Sequence, residues 1–85
     1  MHRTKFKIAI VDDSKTAINY IKFFLKKLGL NNIVIFQSPV KFLEFLKEND
    51  DIDIVFIDYI MPYVNGIEVL QKIKQIDKDI LTVMM

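Results

Sequence analysis

Three aspartates stand where the sequence could build an acidic metal site. Asp12 and Asp13 directly follow one short apolar segment, and Asp58 directly follows another that lies far along the chain. Carboxylates held close together repel one another, and burial makes this repulsion more costly. A divalent cation is the usual remedy. Because the chain has no cysteine and no histidine near these positions, the oxygen ligands favour Mg²⁺ or Mn²⁺ over Zn²⁺.

The same three residues suit phosphoryl chemistry. A bound Mg²⁺ takes many of its ligands from phosphate oxygens, and a carboxylate can attack phosphorus to form an acyl phosphate. Asp58 stands alone after its apolar segment, so we expect it to be the nucleophile and Asp12 and Asp13 to hold the cation. A structural interpretation remains open, because single aspartates often follow strands and Asp13 could simply cap a helix.

Short apolar segments alternate with longer amphipathic ones along the chain. The apolar segments predict strands over 6–11, 33–36, 54–57 and 80–85. The first predicted helix begins at Asp13 or Ser14 and ends near Leu28, ahead of Gly29. A second helix begins at Ser38-Pro39 and a third covers about 66–76.

The predicted strands are continuously apolar, which is typical of a parallel sheet covered on both faces. Strand–helix alternation indicates the same α/β architecture, a doubly wound sheet with helices on both sides. The carboxyl ends of such strands open on one edge, where ligands bind. We therefore expect the three aspartates to meet there if the first and third strands are neighbours.

Composition limits the classes of function. The chain has 85 residues, 52% of them apolar, and a net charge of +1, so it fits one small domain and advertises neither nucleic acid nor membrane as a partner. Without a signal-peptide pattern or a long apolar run, it is predicted to be cytoplasmic. Six phenylalanines at core spacing are predicted to be buried: Phe23, Phe24, Phe36, Phe42, Phe45 and Phe56.

Two segments carry a resemblance to a known family. Residues 8–14 read IAIVDDS and residues 55–66 read VFIDYIMPYVNG. Together they resemble the receiver domains of two-component response regulators, of the chemotaxis-regulator kind. In that family an Asp is followed after two residues by Met-Pro and after three more by Gly. The resemblance implies a flavodoxin-like fold with strand order 2-1-3-4 over the four predicted strands.

The resemblance also implies roles for single residues. Asp58 is implied as the phosphoacceptor, Asp13 as a direct Mg²⁺ ligand, and Asp12 as acting on the metal mainly through water. The backbone carbonyl of Ile60 is implied as a further ligand. The implied phosphodonor is a sensor histidine kinase, and the implied reader is an output domain or protein partner.

The sequence departs from the family pattern at its end. The fifth strand, the last two helices, a Ser/Thr after the fourth strand and a Lys after the fifth have no counterpart before Met85. We therefore expect residues 1–85 to form the N-terminal part of one receiver domain, truncated after the fourth strand. Its apolar strand over 80–85 would be an exposed edge that favours self-association.

Two other functions stay open at this point. The first is an interaction or dimerisation module that is not phosphorylated, which the missing Ser/Thr and Lys favour. The second is a Mg²⁺-dependent phosphatase with an aspartyl nucleophile. Such enzymes typically carry Asp-x-Asp on one strand, whereas Asp12 and Asp13 are adjacent, so this alternative fits less well.

Overall fold

The structure is a computed structural model that describes residues 6–58, 60–61 and 64–85. Its strands are β1 (Ile8–Val11), β2 (Ile33–Phe36), β3 (Ile54–Ile57), β4 (Ile60–Met61), β5 (Val64–Asn65) and β6 (Leu81–Met84). Its helices are α1 (Lys15–Lys27), α2 (Pro39–Glu48) and α3 (Gly66–Ile76). Tyr59, Pro62 and Tyr63, which belong to the motif after the third predicted strand, lie outside the described residues.

The main sheet is parallel and has the strand order β2-β1-β3-β6. Because β6 is the fourth of the predicted strands, this order confirms the predicted 2-1-3-4 arrangement and the doubly wound α/β class. The first strand begins at Ile8 rather than at residue 6, and the fourth covers 81–84 rather than 80–85. Both strands are shorter than predicted because their ladders end with those of their neighbours.

Capping residues set where the first two helices begin. The Ser14 hydroxyl accepts a hydrogen bond from the Ala17 backbone N–H at 3.3 Å, so Ser14 and not Asp13 is the N-cap of α1. Gly29 follows α1 with φ +84°, a left-handed conformation that favours glycine. The Ser38 hydroxyl caps α2 in the same way as Ser14 caps α1, with Pro39 at the first helical position.

The start of α3 was not predicted in detail. The Asn65 carboxamide accepts hydrogen bonds from the backbone N–H groups of Ile67 and Glu68, at 3.0 and 3.3 Å. Residue 65 also pairs with Ile60 in the short antiparallel ladder between β4 and β5. A loop was expected here; instead, the backbone between Asp58 and α3 contains a two-stranded pair that ends in a helix cap.

Two apolar clusters fill the two faces of the sheet. The larger one packs α2 and α3 against the sheet around Phe42, whose ring meets Phe36 edge-on at 5.4 Å between centroids. The smaller one packs Ile18 and Leu25 of α1 against Ile8 and Ile10 of β1. Phe36, Phe42, Phe45 and Phe56 belong to or pack against these clusters, which confirms the prediction for those four.

Two of the predicted core residues are not buried. Phe23 is 58% exposed and Phe24 is 64% exposed, so the prediction for both was wrong. The reason is geometric: among the described helices only α1 contributes to the smaller cluster, so no neighbouring helix covers its flank. The Lys27 ammonium lies 5.2 Å from the Phe23 ring centroid and covers part of that ring.

Across the described ranges, none of the helices combines the length and the apolar character needed to cross a membrane.

Candidate metal centre

The ends of two neighbouring strands position the acidic residues. Val11 of β1 pairs with Ile57 of β3, so the residues that follow them leave the sheet side by side. The Asp58 backbone N–H donates to the Val11 carbonyl at 3.0 Å, and the Asp12 N–H donates to the Phe36 carbonyl at 3.0 Å. These bonds extend the ladders past the strands and fix both aspartates on the carboxyl edge of the sheet.

The three predicted aspartates come together at that edge. One carboxylate oxygen from each of Asp12, Asp13 and Asp58 lies within 4.8 Å of the others. Asp12 is buried with 3% of its surface exposed, Asp58 is half-buried, and Asp13 is exposed. The cluster therefore has one side anchored in the protein and one side open to solvent.

The electrostatics of the cluster are unfavourable for three free anions. Burial raises the pKa of the Asp12 carboxyl, and the neighbouring Asp58 and Asp13 carboxylates raise it further. A hydrogen bond from the Ser14 backbone N–H to Asp12 Oδ1, at 2.9 Å, works in the opposite direction and lowers this pKa. The net shift is upward, so the site gains from any cation that neutralises Asp12.

The donor set fits a hard divalent cation. All three side chains offer carboxylate oxygens, the ligands that Mg²⁺ and Mn²⁺ prefer, and the open side leaves room for waters or phosphate oxygens. The backbone of Ile60 lies in β4, two residues beyond Asp58. Its role as a carbonyl ligand stays a prediction.

Sequence reasoning missed the part that Ser14 plays. Its side chain caps α1 while its backbone N–H holds the Asp12 carboxylate, so one residue joins the helix start to the acidic cluster. The available signal was the spacing Asp-x-Ser, in which a side chain can bond to the backbone two residues on. Sequence reasoning also missed an apolar groove of about 810 Å³ that runs along α1, with Asp12 and Asp58 at one end.

Comparisons with known proteins agree with this geometry. Residues 8–85 match the family model described as response regulator receiver domain. The chain is 32% identical over 68 residues to a chemotaxis protein CheY homolog of Campylobacter jejuni, covering 80% of this chain and 52% of that protein.

Solved structures give the same result. A response regulator receiver domain protein of Clostridium thermocellum superposes with a TM-score of 0.83 at 31% identity, covering 93% of this chain and 63% of that one. The CheX–CheY–BeF₃–Mg²⁺ complex of Borrelia burgdorferi also gives 0.83, at 30% identity, covering 93% and 60%. The chain spans about half the length of the curated relatives that it matches.

Proposed function

This chain belongs to the response regulator receiver domain family, and on that premise we propose that Asp58 accepts a phosphoryl group from a sensor histidine kinase. Members of this family are signalling modules of two-component systems rather than enzymes that turn over a substrate. The proposal concerns the single residue that carries the signal and the groups that assist it.

One observation carries the proposal. Asp58 lies at a strand end within 4.8 Å of two further carboxylates, one of which is buried and has a raised pKa. A lone helix cap or a solvated loop does not require three anions at this spacing. A site that binds Mg²⁺ and a phosphoryl group does, because the cation offsets the repulsion and the phosphate oxygens complete its coordination.

The chain's own groups have separate tasks. Asp12, Asp13, Asp58 and the Ile60 carbonyl would hold Mg²⁺ (or Mn²⁺), which supplies positive charge beside the phosphoryl oxygens. A carboxylate oxygen of Asp58 attacks phosphorus; the new O–P bond forms as the N–P bond to the donor imidazole breaks, and the imidazole nitrogen keeps the electron pair. Ser14 orients Asp12 through its backbone N–H.

The proposed partners follow from this role. They are a sensor histidine kinase as donor and an output domain or protein as reader, with no direct contact to nucleic acid or membrane, in the cytoplasm. Self-association through the segment 80–85 is part of the same proposal. In the described sheet this segment contains β6, which pairs with β3 at the outer position.

A titration with a phosphoryl mimic tests the acceptor role. Mg²⁺ and then fluoroberyllate are added to the ¹⁵N-labelled chain while backbone NMR shifts are followed. We expect Mg²⁺ to move the signals of Asp12 and Asp13, and fluoroberyllate to produce a second set of shifts that centres on Asp58. Asp58→Asn should lose the second set. Asp50→Asn, which removes an exposed carboxylate at the opposite end of β3, should keep both.

The outcomes separate the alternatives. Shifts with Mg²⁺ but none with fluoroberyllate would contradict phosphorylation and favour an interaction module that has kept an acidic metal site. Release of phosphate from a small phosphate ester, at a rate that depends on Asp58, would favour the phosphatase instead.

A further inference from the structure

Only half of one sheet face is covered in the described structure. On this face α1 packs over β1 through Ile18 and Leu25. Over β3 and β6, the side chains of Ile54, Phe56 and Val83 form the floor of the apolar groove instead. Leu81 pairs with Ile54 in the ladder and therefore points to the same face; it is 58% exposed.

The groove has the width of one helix. Neighbouring strands lie ~4.8 Å apart, so the two strands β3 and β6 span roughly 10 Å. An α-helix with its side chains has a diameter of ~10–12 Å. One helix laid beside α1 would therefore complete the cover of this face.

The outward side of α1 carries an apolar stripe of its own. Tyr20, Phe23 and Phe24 are 78%, 58% and 64% exposed, and they are neighbours on the helix surface because they are spaced i, i+3 and i+4. The polar residues Lys15, Asn19, Lys22 and Lys26 lie on one separate strip, at i, i+4, i+7 and i+11. Most of the circumference of α1 is thus suited to apolar contact, although only its inner side has one.

We propose that two copies of this chain pair so that α1 of each enters the groove of the other. A two-fold axis parallel to the strands, midway between two facing sheets, places the partner's α1 over β3 and β6 and returns this α1 to the partner's β3 and β6. The two helices form one shared layer between the sheets. In this arrangement Tyr20, Phe23 and Phe24 face the partner's sheet, and the polar strip of each helix faces solvent.

The surface available fits a stable dimer. At ~150–250 Å² for each buried aromatic side chain, the three exposed aromatics offer about 300–500 Å² per copy. The groove that they cover contributes a similar area, which gives about 600–1,000 Å² per partner, near the ~800 Å² of a standard interface. Lys27 lies in the last turn of α1, so its stem can cover Phe23 while its ammonium reaches water beyond the helix end.

This inference deepens the self-association part of the proposed function and does not depend on phosphorylation. It assigns the contact to the side chains of β6 that face α1, rather than to the backbone edge of that strand. The fluoroberyllate titration at Asp58 can succeed or fail in a monomer, so the two proposals are tested separately.

The oligomeric state of matched variants tests the pairing. Sedimentation equilibrium of the 85-residue chain should show a dimer. Phe24→Glu should weaken it by about 100-fold or more, because the carboxylate would be buried against apolar groups without a partner. Val40→Glu is the control: Val40 on α2 is 63% exposed, almost as Phe24 is, but it lies on the other face and should leave the dimer unchanged.

The fold of each variant is checked by circular dichroism. If Phe24→Glu does not fold, Tyr20→Glu replaces it, since Tyr20 is 78% exposed. A monomeric wild-type chain at high concentration overturns the proposal and leaves the groove to another protein segment. A dimer that is equally sensitive to Phe24→Glu and Val40→Glu, or insensitive to both, overturns it as well.

Cross-linking tests the geometry. The chain has no cysteine, so Phe23→Cys and Leu81→Cys can be introduced separately and the two chains mixed under mild oxidation. Phe23 leans toward the partner's β6 in the proposed dimer, so the mixed disulfide should form well above either self-disulfide. A chain that is dimeric but gives no mixed disulfide pairs through a different surface, such as the backbone edge of β6, and the proposal then fails.

Discussion

Replacing Asp12 by Asn should make the metal-free protein more stable. The substitution removes the charge of the buried carboxylate and keeps its shape. The Asn oxygen can still accept the hydrogen bond that the Ser14 backbone N–H donates to Asp12. What disappears is the repulsion with Asp13 and Asp58 and the cost of burying a charge.

The size of the effect follows from the spacing of the carboxylates. Their nearest oxygens lie within 4.8 Å of one another. Like charges at 4 Å repel by about 1 kcal/mol in water and by about 4 kcal/mol at an effective dielectric constant of 20. Because Asp13 is exposed and Asp58 is only half-buried, we use the lower figure and expect a gain of about 1–2 kcal/mol in the free energy of unfolding. For a domain of this size that raises Tm by about 5–10 °C.

Mg²⁺ should reverse the order of the two proteins. A ligand present at 100 times its Kd stabilises the folded state by about 2.7 kcal/mol. The wild-type chain should gain this amount, and Asp12→Asn should gain much less because one of its three carboxylates is gone. Thermal unfolding is followed by circular dichroism in EDTA and in excess Mg²⁺, at one fixed protein concentration, because self-association would shift Tm.

The control is Asp50→Asn, which removes the same charge from an exposed position at the other end of β3. It should change Tm little and leave the Mg²⁺ response intact. If Asp12→Asn is less stable than wild type in EDTA, or gains as much from Mg²⁺, then the carboxylates do not strain the fold and do not share a cation.

Three further predictions concern stability. The advantage of Asp12→Asn in EDTA should be largest near neutral pH and should shrink in acid: the pKa of Asp12 is raised above its ordinary 3.8, so the folded state takes up a proton first and the repulsion ends, as urea titrations at several pH values would show. Asn65→Ala should cost about 0.5–2 kcal/mol by removing the α3 cap, and Asn65→Asp, which keeps an acceptor, should recover most of it in the same urea assay. Phe42→Ala, at a fully buried ring, should cost about 3–5 kcal/mol and lower the urea midpoint far more than Val40→Ala.

The site could be predicted because parallel pairing leaves little freedom. Once β1 and β3 are neighbours, the register that pairs Val11 with Ile57 brings Asp12 and Asp58 to the same edge. Strand ends are marked in the sequence by the change from apolar to acidic residues. Helix starts were equally legible at Ser14 and Ser38, because a capping hydroxyl acts over three residues and requires no tertiary information.

The features that were missed depend on what packs against what. Phe23 and Phe24 have the spacing of core residues, but spacing only says that they share a side of the helix with other apolar residues. Whether a second layer covers that side is decided by other parts of the fold, and in the described structure α1 lacks such a neighbour. The β4–β5 ladder and the Asn65 cap were missed for a related reason: two-residue strands carry too few side chains to show a period.

The acidic cluster and the groove cannot act independently of each other. Asp12, Ser14 and Asp58 line one end of the groove, and Ser14 both caps α1 and bonds to Asp12. A change of charge or ligand at Asp12 is therefore one hydrogen bond away from the first turn of the helix that forms the groove wall. Whatever fills the groove in turn changes the solvent exposure of Asp12 and Asp58, on which their electrostatics depend. Coupling of this kind is reciprocal: if a filled groove strengthens cation binding by some factor, the cation must strengthen filling of the groove by the same factor. For a dimer joined through α1, charge at the phosphoacceptor edge and the assembly of two chains are then two readings of one equilibrium.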